Sequence, residues 1–135
     1  MKIKLSEITD AFDFMDETSE YFLDKETGEL VYINDMYMDR VEAEALSEQL
    51  DEHGFYRLPD QREIREYDTM EAFADTLSGA AQEKLYDAIS GHGAFSRFKN
   101  EIRQLDLQEK WYSFRDDARK QKAIAWCEEN DIEWD

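Results

Sequence analysis

Short runs in the first part of the chain alternate apolar and polar residues, which is typical of strands. Residues 2–5 alternate in this way and predict a short strand. The β-branched and aromatic runs at 21–23 and 30–33 flank a polar turn and predict a hairpin, in which Gly28 takes the positive φ of a bulged turn. A further candidate strand lies at 55–58. The pattern therefore predicts a small antiparallel sheet.

Apolar residues three and four positions apart predict two helices within the same part of the chain. Ser6 has the side chain of an N-cap for the first helix, and Gly54 follows the second helix where a C-terminal glycine belongs. The two apolar stripes consist of Ile8, Ala11, Phe12, Met15, Ala43, Leu46, Leu50 and His53.

The second half of the chain predicts a run of helices. Asp68 with Glu71, and Asp106 with Glu109, have the spacing of capping boxes and predict two helix starts. Another helix carries a regular apolar stripe, formed by Phe95, Phe98, Ile102 and Leu105.

Strands followed by helices indicate an α+β fold. We expect a small N-terminal antiparallel sheet, a hairpin with one or two short strands, packed with a mainly helical C-terminal half. The 135 residues fit a single domain over 1–135, and no linker or internal repeat divides them. A chain of this size buries about 68% of its surface on folding, which is enough for a core without disulfides.

Charged residues are distributed unevenly along the chain. The 34 acidic and 16 basic residues give a net charge of −18, which excludes nucleic-acid binding driven by the overall field. Residues 1–60 hold 17 acidic and 5 basic groups, whereas residues 92–122 hold 8 basic and 5 acidic groups. A local basic segment therefore interrupts an acidic protein.

The sequence also predicts a compartment. It shows no apolar signal segment at its start, and no apolar stretch long enough to span a bilayer. Cys127 is the single cysteine and cannot form an internal disulfide. These features favour a cytoplasmic protein without membrane contact.

Several segments resemble a known family. They are the hairpin at 21–29, the segment Gly-His-Gly-Ala-Phe-Ser-Arg-Phe-Lys at 91–99, and the aromatic segments at 111–114 and 125–127. Together they resemble the bacterial uncharacterised protein family 0158 over most of the chain. The resemblance implies a bacterial cytosolic protein of one domain, and it implies no activity, substrate or catalytic residue.

The segment 91–99 is a candidate anion site. Glycines before a helix expose backbone N–H groups at its positive end, and an arginine fork can add a bidentate contact to phosphate or carboxylate. The alternative is a plain turn between helices, with Phe95 and Phe98 in the core. The candidate residues are Gly91, His92, Gly93, Ser96, Arg97 and Lys99.

The start of the last helix is a candidate stacking surface for nucleic-acid bases. Its residues are Trp111, Tyr112, Arg115 and Arg119. The favoured alternative places Trp111 and Phe114 in the core and pairs Arg115 with an acidic group from residues 1–60.

The acidic first half is a third candidate, because acidic helix faces can contact a basic partner. The alternative is a solvated face that keeps the protein soluble. The residues of the two predicted faces are Asp10, Asp13, Asp16, Glu17 and Glu20, and then Glu42, Glu44, Glu48, Asp51 and Glu52.

Signals for catalysis and cofactors are weak. The residues around Gly28 do not match a calcium loop, the two histidines lie far apart, and no hydrolase, metalloprotease or kinase motif occurs. Cys127 lies beside Glu128, which raises rather than lowers a thiol pKa. We therefore expect no metal, no cofactor and no catalytic residue.

The favoured hypothesis is a non-catalytic protein-binding or regulatory module that contacts a protein partner through its acidic first half. The first alternative is nucleic-acid or nucleotide binding through 91–122. The second is an enzyme that acts on a small anionic substrate.

Overall fold

The protein has an α+β fold in a computed structural model that describes residues 2–34 and 36–135. The described residues form, in chain order, β1 (Lys2–Ile3), α1 (Leu5–Phe14), β2 (Ser19–Asp24), β3 (Leu30–Asn34), α2 (Arg40–His53), β4 (Phe55–Arg57), α3 (Gln61–Ile64), α4 (Glu66–Asp75), α5 (Gly79–Ala88), α6 (Ala94–Gln104), α7 (Gln108–Glu129) and β5 (Glu133–Trp134).

The predicted hairpin is confirmed and forms two thirds of a three-stranded antiparallel sheet. β2 is the central strand: it pairs with β3 from Ser19–Asn34 to Leu23–Leu30, and with β4 on its other side. Gly28 has φ 74°, as the bulged turn requires. Leu23 and Asp24 at the end of β2 are fully buried, Leu23 in the core and Asp24 against side chains of α2.

A second, two-stranded sheet joins distant parts of the chain. β1 confirms the predicted first strand, although it is shorter, and it pairs in parallel with β5 through Lys2–Glu133 and Ile3–Trp134. Backbone bonds from Leu5 to the Asp135 carbonyl and from Asp135 to the Ile3 carbonyl extend this contact. The sequence did not predict β5, since two residues carry too little pattern to indicate a strand.

The described residues pack as two compact units. The first unit comprises the residues up to Ile64 together with Arg119–Asp135, and the second comprises Arg65–Ala118. The core of the first unit includes Ile8, Phe12, Leu23, Leu58 and Trp126. Within this unit the Trp126 indole Nε1 donates to the Arg57 carbonyl at 2.9 Å, which ties the end of α7 to β4.

The core of the second unit is aromatic. Phe98 lies 4.8 Å from Trp111 and 6.5 Å from Phe73, measured between ring centroids, in edge-to-face arrangements. The prediction that Phe95 belongs to the same stripe is wrong: its side chain is 52% exposed. Ala94, four residues before Phe98, takes the buried position instead, because α6 places i and i+4 on one face.

Three predicted helix caps are also wrong. α1 begins at Leu5, so that Ser6 lies inside its first turn, and α4 begins at Glu66, two residues before Asp68. Asp106 has φ 58° and precedes α7 without capping it. A short acidic or hydroxyl side chain favours a cap, but packing of the apolar stripe sets where each helix starts.

Candidate functional site

The glycines of the candidate anion site lie in the turn between α5 and α6. Gly91 and Gly93 have φ of 79° and 74°, and α6 starts directly after Gly93. His92, Ser96 and Lys99 are exposed in the same segment. The structure thus brings these five residues together at the surface, and anion binding there stays a prediction.

Arg97 has a different environment from the one the anion site would need. Its Nε donates to the Ala88 carbonyl at 2.9 Å, and its two terminal nitrogens donate to the carbonyls of His92 and Ser90. The guanidinium therefore satisfies carbonyls at the C-terminal end of α5, where a cation is favoured by the helix dipole. The guanidinium nitrogens of Arg97 therefore already donate to backbone carbonyls.

The four candidate stacking residues do not share one surface. Trp111 is buried, which confirms the prediction that it fills the core, and Phe114 packs against the same cluster. Tyr112 is half exposed, with the Arg115 guanidinium 5.0 Å from its ring centroid. Of the four candidates, Tyr112 and Arg115 form an aromatic and cationic pair near the surface.

The acidic partner of Arg115 differs from the prediction. Arg115 Nη2 pairs with Asp116 at 3.3 Å, rather than with a group from residues 1–60. Arg119, a candidate stacking residue for which no acidic partner was predicted, lies in the first unit and pairs with Asp13. Burial lowers the pKa of Arg119, whose side chain is 11% exposed.

The first group of acidic residues does not form a helix face. Asp10 and Asp13 lie on α1, but Asp16 and Glu17 lie in the turn after it and Glu20 lies on β2. Asp16 accepts hydrogen bonds from the backbone and hydroxyl of Thr18. These carboxylates are therefore spread over several elements.

Four residues of the second acidic group form a helix face on α2. Glu44, Glu48, Asp51 and Glu52 lie on one side of the helix. Glu42 lies in the first turn, outside this face. All five carboxylates are exposed, whereas Ala43 and Leu50 on the inner side are buried. The predicted acidic face is therefore confirmed for four residues and is wrong for Glu42.

A groove of about 560 Å³ runs along this face, and we call it the acidic groove. Met38, Ala43 and Ser47 supply its uncharged lining, while three carboxylates and one arginine supply its charge. Arg40 Nε pairs with Glu44 Oε1 at 3.0 Å, with both side chains well exposed. The lining residues are Met38, Arg40, Ala43, Glu44, Ser47, Glu48 and Asp51.

An apolar patch adjoins the acidic groove in sequence and was missed by the sequence analysis. It consists of Met36, Tyr37 and Val41, whose side chains are 70%, 81% and 75% exposed. The signal was available in the sequence as a Met-Tyr-x-x-x-Val run between a strand and an acidic helix. Apolar side chains grouped at the surface mark interaction sites more often than isolated ones do.

Buried Asn34 holds the apolar patch in place. Its Oδ1 accepts from the Met36 and Tyr37 amides at 2.9 and 3.2 Å. Its Nδ2 donates to the Thr18 hydroxyl at 3.0 Å and to the Tyr32 hydroxyl at 2.9 Å. The Asn34 side chain therefore anchors the backbone of Met36 and Tyr37.

A polar cluster at the other end of α2 was also missed. Asp24 is fully buried, and its Oδ2 accepts from Gln49 Nε2 at 2.9 Å and lies 2.8 Å from His53 Nδ1. Burial acts to raise the pKa of Asp24, but hydrogen bonds from Gln49, Thr27, His53 and Glu26 outweigh it and hold the pKa well below its ordinary value. Asp24 is therefore ionised across the physiological range.

His53 lies between two carboxylates. Its Nε2 is 3.2 Å from Glu26 Oε2, opposite the Nδ1 contact to Asp24. The hydrogen bond to Asp24 raises the pKa of His53, and the charges of Asp24, Glu26 and Glu52 act in the same direction against partial burial. The sequence showed His53 only as the last residue of an apolar stripe.

Cys127 is buried in the core of the first unit. Burial raises the pKa of its thiol, and the charge of Glu128 acts in the same direction. In the described part of the chain, no group of three or more His, Cys, Asp or Glu side chains is arranged to hold a metal ion. Among the described helices, none is both long and apolar enough to cross a membrane.

The fold and these surfaces define a small α+β protein with an acidic helix face beside exposed apolar residues. The chain belongs to the uncharacterised protein family UPF0158, whose model matches residues 1–134. No curated protein and no solved structure matches the chain.

Proposed function

We propose that the protein is a binding module whose docking surface is the acidic groove together with the apolar patch. One observation carries the proposal: exposed apolar side chains lie at the N-terminal end of a helix whose outer face is acidic. A partner of matching chemistry is a basic protein segment that also offers apolar side chains.

Charge and apolar contact have separate tasks on such a surface. The carboxylates of the acidic groove attract Lys and Arg side chains and favour rapid encounter, and each exposed ion pair stabilises the complex by about 0.2–1 kcal/mol. Burial of an apolar side chain contributes about 1.5–3 kcal/mol when it is complete. The apolar patch should therefore dominate affinity, and the groove should dominate salt dependence.

Three synthetic peptides test this division, with affinity measured by fluorescence anisotropy. One peptide has Lys and Leu in an amphipathic helical pattern, the second has the same composition scrambled, and the third replaces Leu with Ser. We expect the amphipathic peptide to bind tightest. Equal binding of the first and third peptides would show attraction by charge alone and would contradict the role of the apolar patch.

Variants locate the surface. E48Q with D51N removes two groove carboxylates and should weaken binding about 2- to 30-fold at low salt, from the range for two exposed ion pairs. Y37S should weaken it by about one to two orders of magnitude, from the range for a buried side chain. Matched controls are E83Q and F95S, which remove an exposed carboxylate and an exposed aromatic ring from the second unit. Equal losses in variants and controls would refute the site.

A further inference from the structure

The contacts of His53 favour its cationic form. Its Nδ1 lies 2.8 Å from Asp24, within hydrogen-bond distance, and its Nε2 lies 3.2 Å from Glu26 as an ion pair. An ionised carboxylate only accepts hydrogen bonds, so Nδ1 donates to Asp24. The negative charge of Glu26 beside Nε2 favours the imidazolium further.

The same contacts join the end of α2 to the turn between β2 and β3. Gln49, one helical turn before His53, donates to the Asp24 oxygen that His53 contacts. The Lys25 amide donates to the Gly54 carbonyl at 3.0 Å. The other oxygen of Asp24 accepts from the amides of Glu26 and Thr27, at 2.8 and 3.0 Å, and so shapes the turn itself.

We propose that His53, Asp24 and Glu26 form a pH-sensitive clasp that fixes the C-terminal end of α2 to the β2–β3 turn. The contacts described above support the clasp independently of any function. A consequence of the clasp, control of docking on α2, rests on the proposed function.

Deprotonation opens one side of the clasp. The neutral ring keeps one N–H, which stays with buried Asp24, and it turns a lone pair toward Glu26. Since Glu26 is two-thirds exposed, its carboxylate can then move into solvent. The end of α2 then keeps the His53–Asp24 hydrogen bond and the contacts of Gln49 and Gly54, and it loses the ion pair with Glu26.

Other charged groups belong to the same cluster. Lys25 extends past Gly54 and places its ammonium 4.4 Å from the Tyr56 ring centroid. Asp24 accepts from the ring, and Glu26 and Glu52 add further negative charge, so all three carboxylates favour the imidazolium. His53 is the side chain of this cluster whose ordinary pKa lies near neutral pH.

The sign of the effect follows from the raised pKa of His53. The contribution of the clasp to stability is complete below about pH 6.5, the ordinary value for histidine, and is lost as the pH rises through the higher value in the folded protein. Asp24 acts in the opposite direction: its contribution is present above its ordinary value and is lost only in strong acid.

Hydrogen exchange on the full chain tests the clasp without any partner. After correction for intrinsic rates, protection of the amides at 46–53 and 24–28 should fall about two- to fivefold between pH 6.5 and 9, the range expected for one partly exposed ion pair. H53Q should show no such fall. H92Q, which removes the only other histidine, should behave like the wild type.

The pH dependence of protection distinguishes the possible outcomes. Protection that is independent of pH in the wild type, or that still falls in H53Q, overturns the clasp. If H53Q does not fold, E26Q serves instead, because it removes the negative charge beside Nε2 from an exposed position and should reduce the fall.

Peptide binding tests the second consequence. The amphipathic Lys/Leu peptide should bind more weakly at pH 9 than at pH 6.5, by a similar factor, and H53Q should abolish this difference. A clasp that opens while the affinity stays constant overturns its control of docking. A failure of the peptide to bind at any pH overturns the proposed function, while the exchange data still decide on the clasp.

Discussion

Replacing Phe98 with alanine is the sharpest test of how the second unit is held together. Phe98 is 1% exposed and packs edge-to-face against Trp111, with Phe73 as a further aromatic neighbour. Truncation of a buried phenylalanine costs about 3–5 kcal/mol, through lost transfer energy and the cavity left behind. Because the neighbouring rings are large and mutually braced, the cavity cannot collapse easily, and we expect the upper part of this range.

The measurement is urea unfolding followed by tryptophan fluorescence. Trp111 belongs to the second unit, whereas Trp126 and Trp134 belong to the first. A domain of this size has a free energy of unfolding of about 5–15 kcal/mol, so F98A should remove about a third of it or more. Single-tryptophan variants assign the transition to one unit or the other.

Phe95 provides the matched control, three residues earlier on the same helix. Because its ring is 52% exposed, F95A should change the free energy of unfolding by no more than about 0.5 kcal/mol. Equal effects of F95A and F98A, or a loss in F98A below about 1 kcal/mol, would refute the packing of α6 described above.

Three further predictions concern single positions. N34A should lower the free energy of unfolding by about 1–3 kcal/mol, because it removes the buried side chain that bonds the Met36 and Tyr37 amides and the Thr18 and Tyr32 hydroxyls. It should also weaken binding of the amphipathic peptide if Asn34 positions the apolar patch. G93A should lower the free energy of unfolding in urea by about 1–2 kcal/mol, because φ is 74° and the new methyl group would lie 3.3 Å from an Arg97 nitrogen. G28A has the same φ but open space around it, so it should lower this free energy by less. Cys127 should react with a thiol reagent only at the rate of unfolding, because burial raises its pKa and blocks access; rapid labelling of the native protein would contradict its placement in the core.

The parts of the fold that could be predicted from sequence are those that depend on residues close together in the chain. The hairpin has a glycine where the turn needs a positive φ, and α2 has both a regular stripe and a terminal glycine. The pairing of β1 with β5 has no such cause, since the two strands lie about 130 residues apart and each has only two residues. Caps failed for a related reason, because residues such as Asp106 can adopt a left-handed turn as readily as a cap.

The candidate site was predictable only in its charge. The acidic face of α2 follows from spacing along one helix. The exposure of Met36 and Tyr37 does not, because apolar residues after a strand ordinarily predict burial. The clasp was hidden because Asp24 and His53 are 29 residues apart and meet only when α2 packs beside the hairpin.

The division of the first unit between two distant segments has a consequence for its folding. The second unit is continuous, so its contacts join residues of one segment. The first unit contains β1, whose partner strand is β5, and a core that includes Trp126 and Ile132. Its sheet and core therefore form only when distant segments meet, and closing so long a loop should make the first unit fold more slowly than the second.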